Sequence, residues 1–299
     1  MSEQLHENQL RQALKEHIET SEQSQSSIAK AIGISAPALS QFMNSTYATP
    51  HKLLPKIEAY LSVHKKRQIA PKKPDFVPTS ISTTVINVIT YCHIQGTIGV
   101  IYGDAGVGKT QGAREYCRNQ PEALFITISP AYSGPKGVSE LIAEELRVPE
   151  ARSIRRMHRD IVKKLEGSGR VIIIDEAQHL THRALEHLRS ISDESGVGLV
   201  LIGNQEVYTK MLGRGEAAFA QLFSRMAMKE NVLTNNIKQA DMDLLFPLLS
   251  KEEKQFLLRI ARSRWGIRGA VNVFVNSASN QDTTVTGLAS VAKYMGIGA

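Results

Sequence analysis

Residues 97–117 read TIGVIYGDAGVGKTQGAREYC, and this stretch decides the fold. Its middle, GDAGVGKT at 103–110, fits the pattern G-x-x-x-x-G-K-[ST] of a phosphate-binding loop. A short apolar run, 97–103, precedes the loop, and a helical pattern, 110–118, follows it. Because this motif binds phosphates where it joins a strand to a helix, the sequence predicts a nucleotide-binding α/β domain.

The same loop predicts how the nucleotide is held. Glycines allow backbone amides to wrap the phosphates, and the helix N-terminus adds the positive end of its dipole. Lys109 is predicted to reach the β and γ phosphates, and the Thr110 hydroxyl to bind Mg²⁺. The predicted cofactors are therefore ATP and Mg²⁺, and the predicted cofactor-binding residues here are Gly103, Asp104, Ala105, Gly106, Val107, Gly108, Lys109, Thr110 and Gln111.

A second motif, VIIIDE, ends an apolar run with two carboxylates, Asp175 and Glu176. Ligands of parallel sheets bind at the carboxyl ends of the strands, where this pair is expected. Asp175 is predicted to bind the nucleotide's Mg²⁺ and Glu176 to polarise the attacking water. An Asp-Glu pair is also an ordinary helix-start signal, but its place about 65 residues after the phosphate loop favours the catalytic interpretation.

A third motif, LIGN, ends in Asn204. A polar amide at the end of a buried strand is placed to hydrogen-bond the attacking water or the γ-phosphate, so Asn204 is a predicted catalytic residue together with Lys109 and Glu176. The alternative is a cap for the helix that QEVYTKML predicts, which is a frequent role of asparagine.

The wider pattern alternates apolar runs of strand length with helical patterns and therefore predicts a parallel sheet. The strands are predicted at 97–103, 123–129, 170–175 and 197–203, and the helices between them at 110–118, 136–147, 153–166 and 181–193. The region after 240 is predicted to be helical, with VNVFV at 271–275 as an ambiguous strand-like run.

The sequence predicts four regions. Residues 1–63 form an all-α helix-turn-helix domain, and residues 64–80, with five basic residues and three prolines, form a linker. Residues 81–239 form the α/β ATPase core, and residues 240–299 form a C-terminal helical lid.

GDAGVGKT, VIIIDE and LIGN, in this order, resemble the two nucleotide motifs and the sensor 1 motif of the AAA+ ATPases. The resemblance implies an AAA+ P-loop core with a parallel sheet, a helical lid and an arginine that completes the neighbouring subunit's site. Arg225 in AQLFSRMAMK matches that arginine, and Arg214 is an alternative. Arg268 matches the lid arginine that contacts nucleotide, while another register places Asn272 there.

The chain resembles one branch more closely, the Mu B family of transposition target-selector ATPases. GDAGVGKTQGAREY, IIIDEAQHL, GLVLIGNQEVY and QLFSRMA carry the likeness, together with a helix-turn-helix module before the ATPase. It implies a DNA-stimulated ATP hydrolase that oligomerises on double-stranded DNA, as a ring or filament, and delivers target DNA to a transposase. The alternatives are an ATPase-switched transcription regulator, a helicase loader, and a nucleotide-binding scaffold without turnover.

The helix-turn-helix prediction rests on residues 25–44, QSSIAKAIGISAPALSQFMN. Gly33 supplies the turn, and Ser35 caps a second helix with Pro37 in its first turn. Gln41 and Asn44 are the predicted DNA contacts of that helix, which carries no Arg or Lys. The module is interpreted as a weak DNA binder or a protein-docking module, and a plain helical bundle remains an alternative.

A basic helix inside the ATPase core is the second candidate DNA surface. Residues 152–166 place apolar side chains on one face and cations on the rest. The predicted DNA contacts are Arg152, Arg155, Arg156, Arg159, Lys163 and Lys164, together with Lys136 in the loop 130–137. The alternative is that these charges are simply solvated.

Composition agrees with this interpretation. The formal net charge of +7 favours an anionic partner. The two cysteines are too few for a disulfide framework, which predicts a reducing cytoplasm, here that of a bacterium or phage-infected host. No signal peptide and no apolar stretch of membrane-spanning length is recognised, so no membrane partner is predicted.

Overall fold

A computed structural model of the protein describes residues 2–21, 23–69, 75–149, 152–212 and 226–298. The chain divides into two compact units, residues 1–71 and residues 72–299.

The first unit is helical. It consists of α1 (Ser2–Thr20), α2 (Gln25–Ile32), α3 (Ala36–Met43) and α4 (Leu54–Ile69). Gly33 ends α2 in the left-handed conformation, and the Ser35 side chain accepts a hydrogen bond from the Ala38 amide at the start of α3. The core of the unit is made of the buried side chains Leu14, Ile28, Ala29, Ile32, Leu39, Phe42, Leu53 and Ile57.

The helix α4 extends beyond the predicted start of the linker. The linker was predicted from residue 64, but α4 continues to Ile69. The physical reason is local: the first proline of the segment is Pro71, and the residues before it are compatible with a helix.

The second unit is a parallel sheet covered by helices. It begins with α5 (Ser80–Gln95) and continues in chain order with β1 (Ile98–Gly103), α6 (Lys109–Asn119), β2 (Ala123–Thr127), α7 (Pro135–Glu145), α8 (Ile154–Leu165), β3 (Val171–Asp175), α9 (His182–Ser195), β4 (Gly198–Ile202), α10 (Gln205–Leu212), β5 (Met226–Val232), α11 (Gln239–Leu245), α12 (Lys251–Ala261), α13 (Gly266–Ser279) and α14 (Val285–Tyr294). The strands lie in the order β2-β3-β4-β1-β5, and every pairing is parallel. The predicted α/β fold with a parallel sheet is therefore confirmed.

The sheet is buried on both faces, which explains why its central strands are apolar without alternation. Alternate side chains of a strand enter two different cores. Ile173 and Ile101 belong to the core beneath α5 and the C-terminal helices, whereas Ile172 and Val100 belong to the core beneath α7, α8 and α9. The C-terminal helices thus share one apolar core with the sheet.

The structure contains an edge strand that the sequence did not predict, and it assigns the run that the sequence left ambiguous. The strand β5 was not predicted, because its residues, MAMKENV, include two charged side chains and alternate between half-buried and exposed positions up to the buried Val232. The ambiguous run VNVFV lies inside α13, where Val273 is fully buried and its neighbours are half-buried.

One buried carboxylate joins the start of the core to the C-terminal helical region. Asp241, in the first turn of α11, accepts hydrogen bonds from the Lys238 amide at 2.7 Å and from the Ser80 amide at 2.6 Å. The Ser80 hydroxyl donates to the same carboxylate at 2.7 Å. Asp241 therefore satisfies amides at the N-termini of two helices, α5 and α11.

Candidate functional site

The phosphate-binding loop connects β1 to α6 through three glycines with positive φ, a backbone conformation that other residues rarely adopt. Gly103, Gly106 and Gly108 have φ values of 134°, 74° and 110°, in the region that side chains rarely adopt. At Gly103 the need is also steric, because a Cβ atom would lie 2.0 Å from the carbonyl oxygen of Val232. The loop therefore lies directly against the end of β5.

The Lys109 side chain bends back over this loop. Its Nζ donates to the carbonyl oxygens of Gly103 at 3.0 Å and Asp104 at 2.6 Å. Burial lowers the pKa of Lys109, an effect that the nearby carboxylates of Asp175, Asp104 and Glu176 oppose. A phosphate in the loop would replace the two carbonyls as the partner of this ammonium group.

Asp104 has a role that the sequence analysis did not identify. It was predicted as part of the phosphate cradle, but its carboxylate accepts hydrogen bonds from the amide of Thr234 at 2.8 Å and from its hydroxyl at 3.0 Å. The Asp104 amide donates to the carbonyl of Val232 at 3.0 Å. These bonds fix the loop to the turn that follows β5.

The two predicted metal ligands are adjacent. The Thr110 hydroxyl donates to Asp175 Oδ2 at 2.9 Å. Asp175 is buried at the end of β3, and this burial raises its pKa, whereas the Thr110 hydrogen bond lowers it. A hydroxyl and a carboxylate oxygen are the hard donors that Mg²⁺ binds beside nucleotide phosphates, so these residues fit the predicted ion.

Glu176 is held by a residue that the sequence analysis did not identify, Gln178. Glu176 has a left-handed backbone with φ of 56°, and the Gln178 amide donates to its carboxylate. The side-chain oxygen of Gln178, Oε1, accepts a hydrogen bond from the backbone amide of Asn204 at 3.4 Å. At Gly203 a Cβ atom would lie 2.4 Å from that oxygen, so the end of β4 needs glycine to approach Gln178. Gln178 thus links two of the predicted catalytic residues.

The Asn204 side chain acts as a helix cap in this structure. Its Oδ1 accepts from the Glu206 amide at 2.9 Å, at the start of α10. This is the alternative that the sequence left open, and it leaves the amide nitrogen of Asn204 available for a second partner at the carboxyl end of β4.

Arg268 reaches the phosphate-binding loop from the C-terminal region. Its backbone amide donates to the carbonyl of Gly106 at 3.0 Å, and its positive charge contributes to lowering the pKa of Lys109. At Gly266, where φ is 61°, a Cβ atom would lie 2.8 Å from the Ala105 carbonyl oxygen. The first turn of α13 therefore contacts the loop, while Asn272 lies about one helical turn beyond Arg268.

The two candidates for the arginine that acts in trans, Arg225 and Arg214, lie outside the described residues. A cation that the sequence analysis did not identify, Arg114 on α6, acts on the metal-ligand pair from within the chain. It lowers the pKa of Asp175, and its guanidinium lies 5.6 Å from the centre of the Phe125 ring.

The basic helix α8 presents its cations to solvent. Met157, Ile161 and Leu165 are buried, as its apolar face predicts. The exposed residues include all six of its predicted DNA contacts: Arg152, Arg155, Arg156, Arg159, Lys163 and Lys164. Arg156 forms an ion pair with Asp160 at 3.7 Å. This surface is available to a polyanion.

The remaining predicted DNA contacts are also exposed. Lys136, at the start of α7, lies 3.5 Å from the carboxylate of Glu140. Gln41 and Asn44, in and just after α3 of the first unit, are both exposed. Within the part of the chain that the structure describes, His, Cys, Asp and Glu form no further cluster suited to a metal, and no helix has the length and apolarity to cross a membrane.

Comparison with known proteins agrees with the geometry. A family model described as an AAA domain matches residues 93–211. The Mu-like prophage FluMu DNA transposition protein B of Haemophilus influenzae is 29% identical over 272 residues, covering 88% of this chain and 93% of that protein. The ATP-dependent target DNA activator B of Escherichia phage Mu is 31% identical over 265 residues, covering 87% of this chain and 84% of that protein.

Among solved structures, that of Drosophila ORC bound to DNA resembles this chain in fold. The match has a TM-score of 0.50 and 15% sequence identity, and it covers 78% of this chain and 65% of that chain. This likeness supports the arrangement of the sheet and helices described above.

Proposed function

This chain belongs to the Mu B family of AAA ATPases, the transposition proteins B of phage Mu and its relatives, and on that premise we propose that it hydrolyses ATP while assembled on DNA and delivers target DNA to a transposase. The observation that carries the proposal is the pairing of the Thr110 hydroxyl with Asp175, 2.9 Å apart, beside a complete phosphate-binding loop. This pairing supports a nucleotide site built for turnover rather than for a structural role.

In the proposed site, the amides of the loop and Lys109 bind the phosphates, and Thr110 and Asp175 hold Mg²⁺. When bound, Mg²⁺ offsets the negative charge that the phosphates share. Arg268 adds a cation from the first turn of α13, which already contacts Gly106. Asp104 keeps the loop in register with β5 through Thr234. The chain therefore supplies a preformed cradle for a nucleoside triphosphate.

Glu176 is the proposed base that orients and polarises the attacking water. Gln178 is a positioning residue for it, because the Gln178 amide binds the Glu176 carboxylate and its carbonyl binds the backbone at Asn204. Movement at the end of β4 would reach Glu176 through this one side chain. Asn204 is the proposed second contact to the water or the γ-phosphate.

Arg225 is the proposed residue that completes the site of a neighbouring subunit, with Arg214 as the alternative. With Lys109 and Asp175 in one subunit and the arginine in the next, nucleotide would favour assembly as a ring or filament, and hydrolysis would favour disassembly. The proposed partners are double-stranded DNA, further copies of this chain and a transposase, in the cytoplasm of a bacterial or phage-infected cell.

The proposed DNA surface is the exposed cationic face of α8, with Lys136 nearby in sequence and Gln41 and Asn44 in the first unit. DNA binding through phosphates is independent of sequence and depends steeply on salt.

Replacing Arg155, Arg156 and Arg159 with glutamine should reduce the slope of log Kd against log salt by up to about three units and leave ATP affinity unchanged. The matched control is the triple replacement of the exposed residues Arg118, Lys251 and Arg259.

The function as a whole is tested by measuring ATP hydrolysis with and without random-sequence duplex DNA, and by electron microscopy of the same mixtures. We expect DNA to stimulate turnover, Glu176→Gln to abolish it, and rings or filaments to form with ATP and DNA. If the unmodified protein does not hydrolyse ATP in the presence of DNA, the proposed ATPase activity is contradicted. A short protected footprint instead of uniform coverage would favour a transcription regulator.

A further inference from the structure

A surface pocket lies between α8 and α9, outside the nucleotide site. It encloses about 420 Å³ and is lined by Ile154, Arg155, His158, Arg159 and His187. Four of these five side chains carry or can acquire a positive charge. The chain has thus placed two guanidinium groups beside two imidazoles that can each gain a proton, and such a lining is suited to an anion.

The two arginines are available to a ligand. Both are exposed, and neither forms an ion pair with any carboxylate in the part of the chain that the structure describes. By contrast, Arg156 on the same helix is paired with Asp160. Arg155 and Arg159 are four residues apart and therefore lie on the same side of α8. Two such guanidinium groups can donate several hydrogen bonds to the oxygens of one phosphate group.

The imidazoles are held in defined positions. His158 Nε2 lies 3.1 Å from both carboxylate oxygens of Glu194, and its ring centre is 5.1 Å from that of His187. His187 Nε2 lies 2.7 Å from the Ser139 hydroxyl, which itself donates to the carbonyl of Pro135 at 2.8 Å. Since that hydroxyl gives its one proton to Pro135, the His187 ring donates from Nε2, and an added proton would occupy Nδ1.

The surroundings of His187 favour its neutral form over its protonated form. Burial lowers its pKa, and His158 lowers it further, whereas Glu194 opposes both effects. The charged and titratable groups that face it are His158, Arg155 and Arg159 on α8 and Glu194 on its own helix, while α7 contributes the hydroxyl of Ser139. An anion in the pocket would favour protonation of His187, so anion binding and proton uptake are linked.

We propose that this pocket binds one phosphate group of the DNA backbone and takes up a proton on His187 when it does so. The inference rests on the proposed function, in which α8 faces DNA. A backbone phosphate fits better than an isolated carboxylate, because the exposed Lys163 and Lys164 continue the cationic surface along the same helix and the exposed Arg152 precedes it in the chain. The helix of 12 residues is about 18 Å long, enough to follow several phosphates of one strand.

The test compares the affinity for a random-sequence 30-base-pair duplex at pH 6 and pH 8 in the wild type and in His187→Gln, by fluorescence anisotropy at fixed salt. Glutamine retains a donor for Ser139 but cannot gain a charge. We expect the increase in wild-type affinity from pH 8 to pH 6 to exceed that of His187→Gln by up to about tenfold, the effect of a one-unit rise in pKa on binding. His6→Gln, an exposed histidine of the first unit, is the matched control and should respond as the wild type does.

A second variant avoids the buried network. Arg155→Gln removes an exposed guanidinium and should reduce the salt slope of DNA binding by about one unit. If the DNA affinity of the wild type and of His187→Gln changed equally with pH, while both still bound DNA, the proposed role of the pocket would be overturned and the proposed function would stand. The proposal would also be overturned if the two variants weakened the binding of poly-glutamate but left the affinity for DNA unchanged. That result would assign the pocket to an acidic protein segment. Absence of DNA binding by the wild type at both pH values would contradict the proposed function and the pocket with it.

Discussion

At the scale of single residues, the nucleotide site keeps a charge where the fold disfavours it. Asp175 is buried at the end of β3, and its carboxylate accepts hydrogen bonds from the Thr110 hydroxyl and from the backbone of Glu176. Burial raises the pKa of Asp175, which means that the ionised carboxylate is less favourable in the folded chain than in the unfolded one. The proposed role in Mg²⁺ binding, and not stability, would account for a carboxylate at this position.

Asp175→Asn should therefore stabilise the nucleotide-free protein and abolish Mg²⁺-dependent hydrolysis. Because the folded-state pKa is raised, the carboxylate lowers stability at pH values above that pKa, and this penalty disappears as the pH falls through it. We expect the melting temperature to rise by about 2–4 °C at pH 7.5, the shift that ~1 kcal/mol produces in a chain of this size, and the difference to shrink towards acidic pH. Calorimetry that shows a less stable variant at pH 7.5 would contradict this.

Gln178 allows a separate prediction about turnover. Gln178→Ala should lower kcat by about tenfold, the effect of losing one hydrogen bond to a charged group, with KM for ATP nearly unchanged. Gln178→Glu should also lower kcat, because a second carboxylate cannot donate a hydrogen bond to the Glu176 carboxylate and repels it. A parallel loss of ATP affinity in both variants would indicate a merely structural role.

At the scale of elements, the first turn of α13 contacts the phosphate-binding loop, so we expect the C-terminal region to respond to nucleotide. Gly266 has φ of 61° and lies so close to Ala105 and Gly106 that no side chain fits. Trp265, the one tryptophan of the sequence, precedes it, and its carbonyl oxygen would lie 3.1 Å from a Cβ atom at Gly106. Occupancy of the loop should therefore be visible at this indole.

We expect ATP to change the fluorescence of Trp265 in the wild type. Gly266→Ala should weaken ATP binding by about tenfold or more and reduce the fluorescence change, because its Cβ must push α13 away from the loop. The matched control is Gly296→Ala, which has a similar φ of 68° but no atom within 4 Å of the new Cβ. If Gly296→Ala weakens ATP binding as much as Gly266→Ala does, backbone strain and not the contact with the loop explains the loss of affinity.

Three of the four strands that the sequence predicted share a physical property. The strands β1, β3 and β4 are covered on both faces, so their burial appears as continuous apolar runs. The edge strand β5 has an alternating pattern with charged residues and gives no such signal. The phosphate loop and the Asp175–Glu176 pair were predictable because each is a contiguous motif. The contacts of Asp104 with Thr234 and of Gln178 with Asn204 were not, because they join residues far apart in the chain.

At the scale of the whole molecule, the positive charge is spread rather than concentrated in one region. Residues 1–78 contain 10 basic and 7 acidic residues, residues 79–239 contain 19 and 17, and residues 240–299 contain 7 and 5. A single copy is therefore only weakly basic. Strong DNA binding is expected to require many copies side by side, each contributing a few phosphate contacts.

This dependence on assembly makes the two ligands reciprocal. If ATP raises the affinity for DNA by a given factor through assembly, DNA must raise the affinity for ATP by the same factor. We expect a factor of about 5–100, measured in Glu176→Gln to exclude hydrolysis, by titrating ATP with and without duplex DNA and DNA with and without ATP. An ATP affinity that does not respond to saturating DNA would contradict the coupling.

The edge strand β5 has a consequence for how such an assembly can come apart. An open strand edge is a template for backbone pairing with another chain, and pairing of that kind leads to aggregates that do not dissolve. Among the described residues β5 pairs only with β1, and it carries Lys229, Glu230 and Asn231 in its second half. These polar and charged side chains disfavour backbone pairing of its outer edge with a second copy. If copies assemble on DNA as proposed, we expect them to meet through side chains and nucleotide, and to separate again once the nucleotide is hydrolysed.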